Sequence, residues 1–177
     1  MRSIENGILF SKHFNIQPNV LSRLGVFDPN LKCDTEKFIN PLKLIHSQHR
    51  EFAEYGHKLY IHYFEKIFEW LSLCEEKCDY CWEEARAELK FHEIKGTCLG
   101  YGKGTISGSG WGDKLIERLL IDAKRIIELG IKDPHLFSLM SLFEDGIGPD
   151  RISDMTTNII FFSLKSFNRR ILKELGG

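Results

Sequence analysis

The chain has 177 residues, of which 42% are hydrophobic and 28% are charged, which suits one folded domain and disfavours a disordered chain. Its 24 basic and 25 acidic residues nearly cancel, which argues against a protein that holds nucleic acid with its whole surface. Five cysteines at irregular spacing argue against a secreted disulfide framework. The sequence predicts neither a signal peptide nor a membrane span, so we expect a cytoplasmic protein with reduced thiols.

The N-terminal residues 1–45 predict an irregular segment. Residues 8–10 are apolar and predict a short strand, whereas residues 19–24 predict one or two helical turns. Gly25 is expected to close these turns, because glycine is the residue that most easily takes the left-handed conformation at a helix end.

Most of the remaining sequence has the apolar periodicity of amphipathic helices. The longest such pattern starts near Ser47, a candidate N-cap, and ends near Cys74. A short β-prone piece at residues 97–101 interrupts the helical pattern. The other predicted helices span residues 79–89, 112–130, 133–143 and 150–175.

These elements predict an α+β fold that is predominantly α, with a helical bundle-like core and a few short strands. We expect a single domain over residues 1–177. Within it, the irregular segment 1–45 is expected to pack on a helical core formed by residues 47–175.

Three cysteines, Cys74, Cys78 and Cys81, have the C-x3-C-x2-C spacing that holds an iron–sulfur cluster in radical S-adenosylmethionine enzymes. The context disfavours that chemistry, because acidic, helix-forming residues surround the motif. Zinc would need a fourth ligand, for which His92 and Cys98 are candidates. The sequence favours the simpler interpretation, in which partly packed thiols lie near a break between two helices.

A glycine-rich segment, GYGKGTISGSGWG, lies between the β-prone piece and the next helix. Glycines let a backbone approach a ligand closely, and a helix N-terminus offers amide donors, so the segment predicts a phosphate site. The segment lacks the Gly-Lys-Ser/Thr of a Walker A loop, and a close-packed surface loop is the alternative. The candidate ligand-binding residues are Gly102, Lys103, Gly104, Gly108, Gly110, Gly112 and Lys114.

The turn at residues 146–149, Gly-Ile-Gly-Pro, resembles the helix-hairpin-helix DNA-binding module. Backbone amides of that module hold a DNA phosphate, and the candidate residues here are Gly146, Gly148 and Arg151. The surrounding acidic residues would repel a phosphate. The sequence therefore favours the alternative, a tight turn between two helices in which Asp150 caps the second.

Two carboxylates, Asp150 and Asp154, lie one helical turn apart on the same predicted helix face. Together with Glu144 or Asp145 they could hold Mg²⁺ through oxygen ligands, which makes magnesium the one cofactor that the sequence suggests. The alternative is an acidic helix start, which the helix dipole favours without any metal.

Three separated strings carry a resemblance to a known family. They are LGVFDPNLKCDTEKFINPLKL, LGYGKGTISGSGWGDKLIERLL and LFEDGIGPDRISDMTTNII. Together they resemble the N-terminal region of a family of uncharacterised prokaryotic proteins whose longer members carry a restriction-endonuclease-like domain. The resemblance implies a role in defence against foreign DNA, and it offers no catalytic residues, because the nuclease-like part has no counterpart here. The family has Asp-Pro where this chain has Asn40-Pro41.

The sequence leaves two functions open. The first is a non-enzymatic module that recognises nucleic acid or a partner protein domain, for which Lys165, Arg169, Arg170 and Lys173 form a basic patch. The second is a magnesium-dependent enzyme that handles phosphate or nucleotide with the glycine-rich segment. The first is favoured, because no Walker lysine and no clear catalytic base is present.

Four consecutive apolar residues, 159–162, exceed what one face of a helix needs. A buried central helix explains them most simply. A homodimer contact through residues 159–172 would also explain them, and no membrane contact is expected.

Overall fold

In the computed structural model, the described part of the chain is built from helices, and its β structure is limited to two isolated bridges. The prediction of a predominantly α fold is therefore confirmed. The structure describes residues 7–77, 79–92, 94, 96–101, 111–131, 133, 139 and 147–176.

The N-terminal region contains two short helices, α1 (Phe10–His13) and α2 (Pro18–Arg23). The strand predicted at residues 8–10 is wrong, because only Leu9 forms an isolated antiparallel bridge, with Asn30. A carboxylate accounts for the difference: Asp28 accepts hydrogen bonds from the backbone amide and the hydroxyl of Ser11, which favours a helix start. The turns predicted before Gly25 are confirmed, and Gly25 has a φ of +66°.

A 3₁₀ helix (Pro41–His46) leads to the central helix of the fold. That helix opens with a turn of π-helix (Glu51–Gly56), called the π turn below, and continues directly as α3 (His57–Leu73). Ser47 is not its N-cap: its hydroxyl accepts from the amide of His49 in the preceding turn, and the first helical bond joins Ala53 to His49.

The two helices predicted next in the sequence are present as α4 (Tyr80–Glu88) and α5 (Asp113–Glu128), and both pack against α3. The Lys124 ammonium group of α5 donates to the carbonyl oxygens of Leu71 and Cys74 at 3.1 and 2.6 Å. It thereby bonds two carbonyls at the C-terminal end of α3, where a helix cannot satisfy every backbone acceptor itself. The core between these helices contains Phe64, Ile67, Leu71, Trp82, Ala85, Ile116, Leu119, Leu120 and Ala123.

The C-terminal region consists of α6 (Pro149–Ile159) and α7 (Phe161–Glu174). The sequence predicted one helix here, and that prediction is wrong because the backbone leaves helical geometry at Ile160 (φ −93°, ψ 17°). Hydroxyl groups explain the break: Thr156 and Thr157 each donate to a carbonyl four residues earlier at 2.7 Å, an arrangement that bends helices. The helix predicted over 133–143 lies outside the described residues, apart from Asp133 and Leu139.

The β-prone piece forms one isolated parallel bridge, between Thr35 and Leu99. The amide of Thr35 donates to the carbonyl of Cys98 at 2.8 Å, and the amide of Gly100 donates to the carbonyl of Thr35 at 3.0 Å. This bridge ties the N-terminal region to the start of the glycine-rich segment. Within the described ranges, no helix is long and apolar enough to cross a membrane.

Candidate functional site

The three sequence strings meet at one place, the junction, formed by Asp34, Thr35, Gly100 and Asp150. Thr35 belongs to the first string, Gly100 is the second residue of the second string, and Asp150 lies in the first turn of α6 in the third. The Thr35–Gly100 backbone bond joins the first two strings. The third joins them through the hydroxyl of Ser153, which accepts from the amide of Ile39 at 3.0 Å.

Gly100 is the centre of the junction, because two carboxylates approach the space where a side chain would stand. A Cβ atom at this position would lie 2.7 Å from Oδ1 of Asp150 and 3.4 Å from Oδ2 of Asp34. The backbone also has a φ of +136°, which side chains other than that of glycine rarely allow. Only glycine fits here, so the carboxylates of two distant segments can come close together.

Asp34 is a residue that the sequence analysis did not single out. It lies in the N-terminal region, 116 positions before Asp150, so no helical or strand spacing connects the two. The magnesium prediction instead paired Asp150 with Asp154 and with Glu144 or Asp145, of which the last two lie outside the described residues. No group of three metal-capable side chains occurs in the described part of the chain.

The hairpin prediction is tested only at its second half, since Gly146 lies outside the described residues. Gly148 is the N-cap of α6 and Pro149 its first residue, so the expectation that Asp150 caps this helix is wrong. Asp150 lies in the first turn, where a carboxylate interacts favourably with the helix dipole. Arg151, the third hairpin candidate, is half-buried and has an interaction partner.

Of the predicted phosphate-binding residues, Gly112 and Lys114 are described, and the members of the set between residues 102 and 110 are not. Gly112 is the N-cap of α5, and Lys114 is exposed in the first turn of that helix. Lys114 lines an open groove of about 490 Å³ between α4 and α5. The groove has mixed charge, because Arg86 lies there 3.7 Å from the carboxylate of Asp113.

The thiols of the C-x3-C-x2-C motif are partly described, since Cys78 lies outside the described residues. Cys74 is buried at the end of α3, and Cys81 is half-buried in α4. Burial, together with the nearby Cys81, raises the pKa of the Cys74 thiol to about 11. Metal binding needs the thiolate, so this environment works against Cys74 as a ligand.

The basic patch predicted on the last helix is divided by the fold, because Arg170 faces the π turn. Its guanidinium donates from Nε and Nη2 to the two carboxylate oxygens of Glu51, at 2.6 and 3.2 Å. It also donates to Glu174 at 2.7 Å. Glu51 is buried, and this pairing holds the pKa of its carboxyl below the usual value of 4.5. Arg170 is therefore an internal partner, and its place in the surface patch was a wrong prediction.

His49 extends this contact to the N-terminal region. Nη2 of Arg170 lies 3.1 Å from Nδ1 of His49, and a guanidinium group only donates hydrogen bonds, so Nδ1 accepts. The proton of the neutral ring is then on Nε2, which lies 3.3 Å from the carbonyl oxygen of Gly25. We call the Gly25 carbonyl, His49, Glu51 and Arg170 the latch.

The remaining three cations of the patch lie on the exposed face of α7. Lys165, Arg169 and Lys173 follow each other at intervals of four residues, which places them on one helix face. All three are exposed, and none forms an ion pair with a residue that the structure describes. We call this surface, together with the exposed side chain of Phe162, the cationic face.

The apolar run 159–162 is shared between the core and the surface. Ile159 and Ile160 are buried within the chain itself, so they need no partner molecule. Phe161 is half-buried and Phe162 is 73% exposed. A homodimer through residues 159–172 stays a prediction. Of the four apolar residues, Phe161 and Phe162 are the two that could contact the second copy.

Fold and site together define a predominantly helical protein in which three distant sequence strings converge at a glycine. The chain belongs to the family described as a domain of unknown function, DUF8370, whose model matches residues 15–176. The resemblance of most of this chain to a family of uncharacterised proteins is thus confirmed. No curated protein and no solved structure matches the sequence.

Proposed function

We propose that this protein is a cytoplasmic recognition module that binds nucleic acid through the cationic face of α7. The observation that carries the proposal is the row of Lys165, Arg169 and Lys173, which places one cation about every 6 Å along the helix axis. The single acidic residue of α7, Glu174, is occupied by Arg170 on the other side. A polyanion would therefore meet positive charge along the whole face.

The nearly neutral composition is compatible with this proposal, because a local row of cations is enough to follow a phosphate backbone. Irregularly spaced cysteines support the cytoplasmic location. The resemblance to a family whose longer members carry a nuclease-like domain supports a role in defence against foreign DNA. In that role, this chain recognises nucleic acid, and cleavage belongs to another domain or protein.

Fluorescence anisotropy with labelled DNA and RNA, titrated across salt concentrations, tests the proposal. The triple variant Lys165→Glu, Arg169→Glu, Lys173→Glu should weaken binding at least about tenfold, because each cation matches one phosphate contact. The slope of log affinity against log salt should fall by about 2 to 3, since each lost contact removes about 0.7 to 0.9.

A matched control makes the same change in net charge at positions outside the cationic face. Lys12, Lys37 and Lys58 are exposed lysines on other parts of the chain, and replacing all three with glutamate changes the net charge by the same amount. Equal weakening by both triple variants would mean that only total charge matters. That result, or an absence of binding at low salt, would contradict the proposal.

The junction favours a second candidate function, in which magnesium and a phosphate group are handled beside the glycine-rich segment. Asp34 and Asp150 bring oxygen ligands from two segments to Gly100, the first residue of the glycine-rich segment. Under this proposal, ATP or GTP with Mg²⁺ raises the melting temperature of the wild type by mass action. Asp34→Asn and Asp150→Asn should each remove that rise, whereas Asp133→Asn should not. Unchanged melting at millimolar nucleotide would exclude this candidate.

A further inference from the structure

Phe162 has an unusual position for a phenylalanine. It lies in the first turn of α7 with 73% of its surface exposed, more than any other phenylalanine, tyrosine or tryptophan in the described ranges. Its ring is 6.1 Å from that of Phe161, at an interplanar angle of 65°. The ammonium group of Lys165 lies 5.6 Å from the centre of the Phe161 ring. An apolar ring is thus held in solvent at one end of the row of cations.

The helical period places Phe162 on the same face as those cations. Arg169 is seven residues, and therefore about two turns, beyond Phe162, and Lys165 lies between them. From Phe162 to Lys173 the face extends about 16 Å. The opposite face of α7, with Ser163, Phe167 and Ile171, packs inside the molecule. Phe162 therefore does not contribute to the packing of the core.

A phenylalanine ring has no hydrogen-bond donor or acceptor, so it can recognise neither a phosphate nor a base edge. It can stack on the face of a base, and base faces are open in single strands and hidden in a duplex. A row of cations with an exposed aromatic ring is the combination found where proteins bind single-stranded nucleic acid.

We infer that the cationic face binds single-stranded nucleic acid, with one base stacked on Phe162 and the backbone following Lys165, Arg169 and Lys173. This inference rests on the proposed function and names its ligand class. An anionic membrane fits the face less well, because its two exposed apolar residues, Phe162 and Leu172, lie ten residues apart with cations between them. A helix at a membrane surface needs a continuous apolar stripe, and α7 uses its stripe in the core.

The test compares wild type and Phe162→Ala in the full chain, with labelled single strands of about 12 nucleotides and the matching duplex. The inference predicts tighter binding of the single strand by the wild type. Phe162→Ala should weaken that binding between about fivefold and about a hundredfold, and change duplex affinity by less than about twofold. Phe162→Trp should keep single-strand affinity, because indole also stacks. The control is Phe14→Ala, which removes a 56% exposed ring directly after α1 and should change neither affinity.

The outcomes separate the inference from the proposed function. If Phe162→Ala leaves single-strand affinity unchanged, or weakens both ligands equally, the inference is wrong. The proposed function then stands if reversal of the three cations still weakens binding. If the wild type binds no nucleic acid at low salt, both fail. Tighter binding to phosphatidylserine vesicles than to single strands, lost in Phe162→Ala, would also overturn the inference. A thermal melt of each variant checks that it folds.

Discussion

The latch and the junction both join segments that are distant in sequence, and they do so by different physical means. At the latch, Arg170 and Glu51, 119 residues apart, are held by charge-assisted hydrogen bonds. At the junction, Gly100 lets the carboxylates of Asp34 and Asp150 approach because it has no side chain. The latch is therefore sensitive to the loss of a charged group, and the junction to the gain of a single carbon atom.

The largest effect is expected at the latch. Arg170→Met keeps much of the side-chain volume and leaves the carboxylate of Glu51 buried without its cation. We expect a loss of about 3 kcal/mol in the free energy of unfolding. This value is at the lower end for a broken buried ion pair, because 37% of the Arg170 side chain is exposed. Urea unfolding measures the loss.

Arg169→Met is the matched control for Arg170→Met, since the two arginines are neighbours on one helix. Arg169 lies on the cationic face, so its replacement should change the unfolding free energy by less than about 0.5 kcal/mol and should weaken nucleic-acid binding. Similar losses of stability in the two variants would show that the fold does not separate these arginines as described.

A somewhat smaller effect is expected at the junction from Gly100→Ala. The added Cβ would lie 2.7 Å from Oδ1 of Asp150, and the φ of +136° is unfavourable for alanine, so we expect a loss of about 2 kcal/mol. Gly112→Ala is the control, because Gly112 has a φ of −77° and no atom of the described residues lies within 4 Å of its Cβ position. Its cost should stay below about 1 kcal/mol, as for an altered N-cap.

A double variant divides the cost at Gly100 into its two causes. Asp150→Ala removes the carboxylate that the new Cβ would meet and leaves the backbone conformation unchanged. Gly100→Ala should therefore cost less in the Asp150→Ala background than in the wild type, and the remainder is backbone strain. If the two costs are equal, the close approach of Asp150 is not what requires glycine.

The comparison also shows which features a sequence can predict. The spacing of apolar residues repeats within a few positions, so α3, α4 and α5 were predicted nearly as they occur. The break at Ile160 was missed, because it depends on how the hydroxyls of Thr156 and Thr157 bond within the folded helix. The local apolar pattern therefore predicts which helices form. Local hydrogen bonds of polar side chains change where those helices end.

The contacts between charged residues could not be predicted from the spacing of residues in the sequence. Arg169 and Arg170 are adjacent in the sequence, and only the packing of α7 against the π turn assigns one to the surface and the other to Glu51. Asp34 has no pattern around it that indicates Asp150 as a neighbour. Pairs of this kind depend on tertiary structure alone. The glycine at position 100 was predicted only as part of the glycine-rich segment and not as a contact between distant segments.

The smallest expected effect is a pH dependence that only the latch should show. Arg170 lowers the pKa of Glu51, so the carboxylate contributes its full stability above the unfolded value of about 4.5, and that contribution is lost as the pH falls through the lower folded value. Glu51→Gln cannot carry the charge, so its stability deficit relative to wild type should shrink in that acidic range. Urea unfolding of both proteins between neutral pH and about pH 3 measures the deficit. Gly100→Ala should show a deficit that changes much less with pH, because its cost is mainly steric, and a constant deficit for Glu51→Gln would mean that the latch is not held by charge.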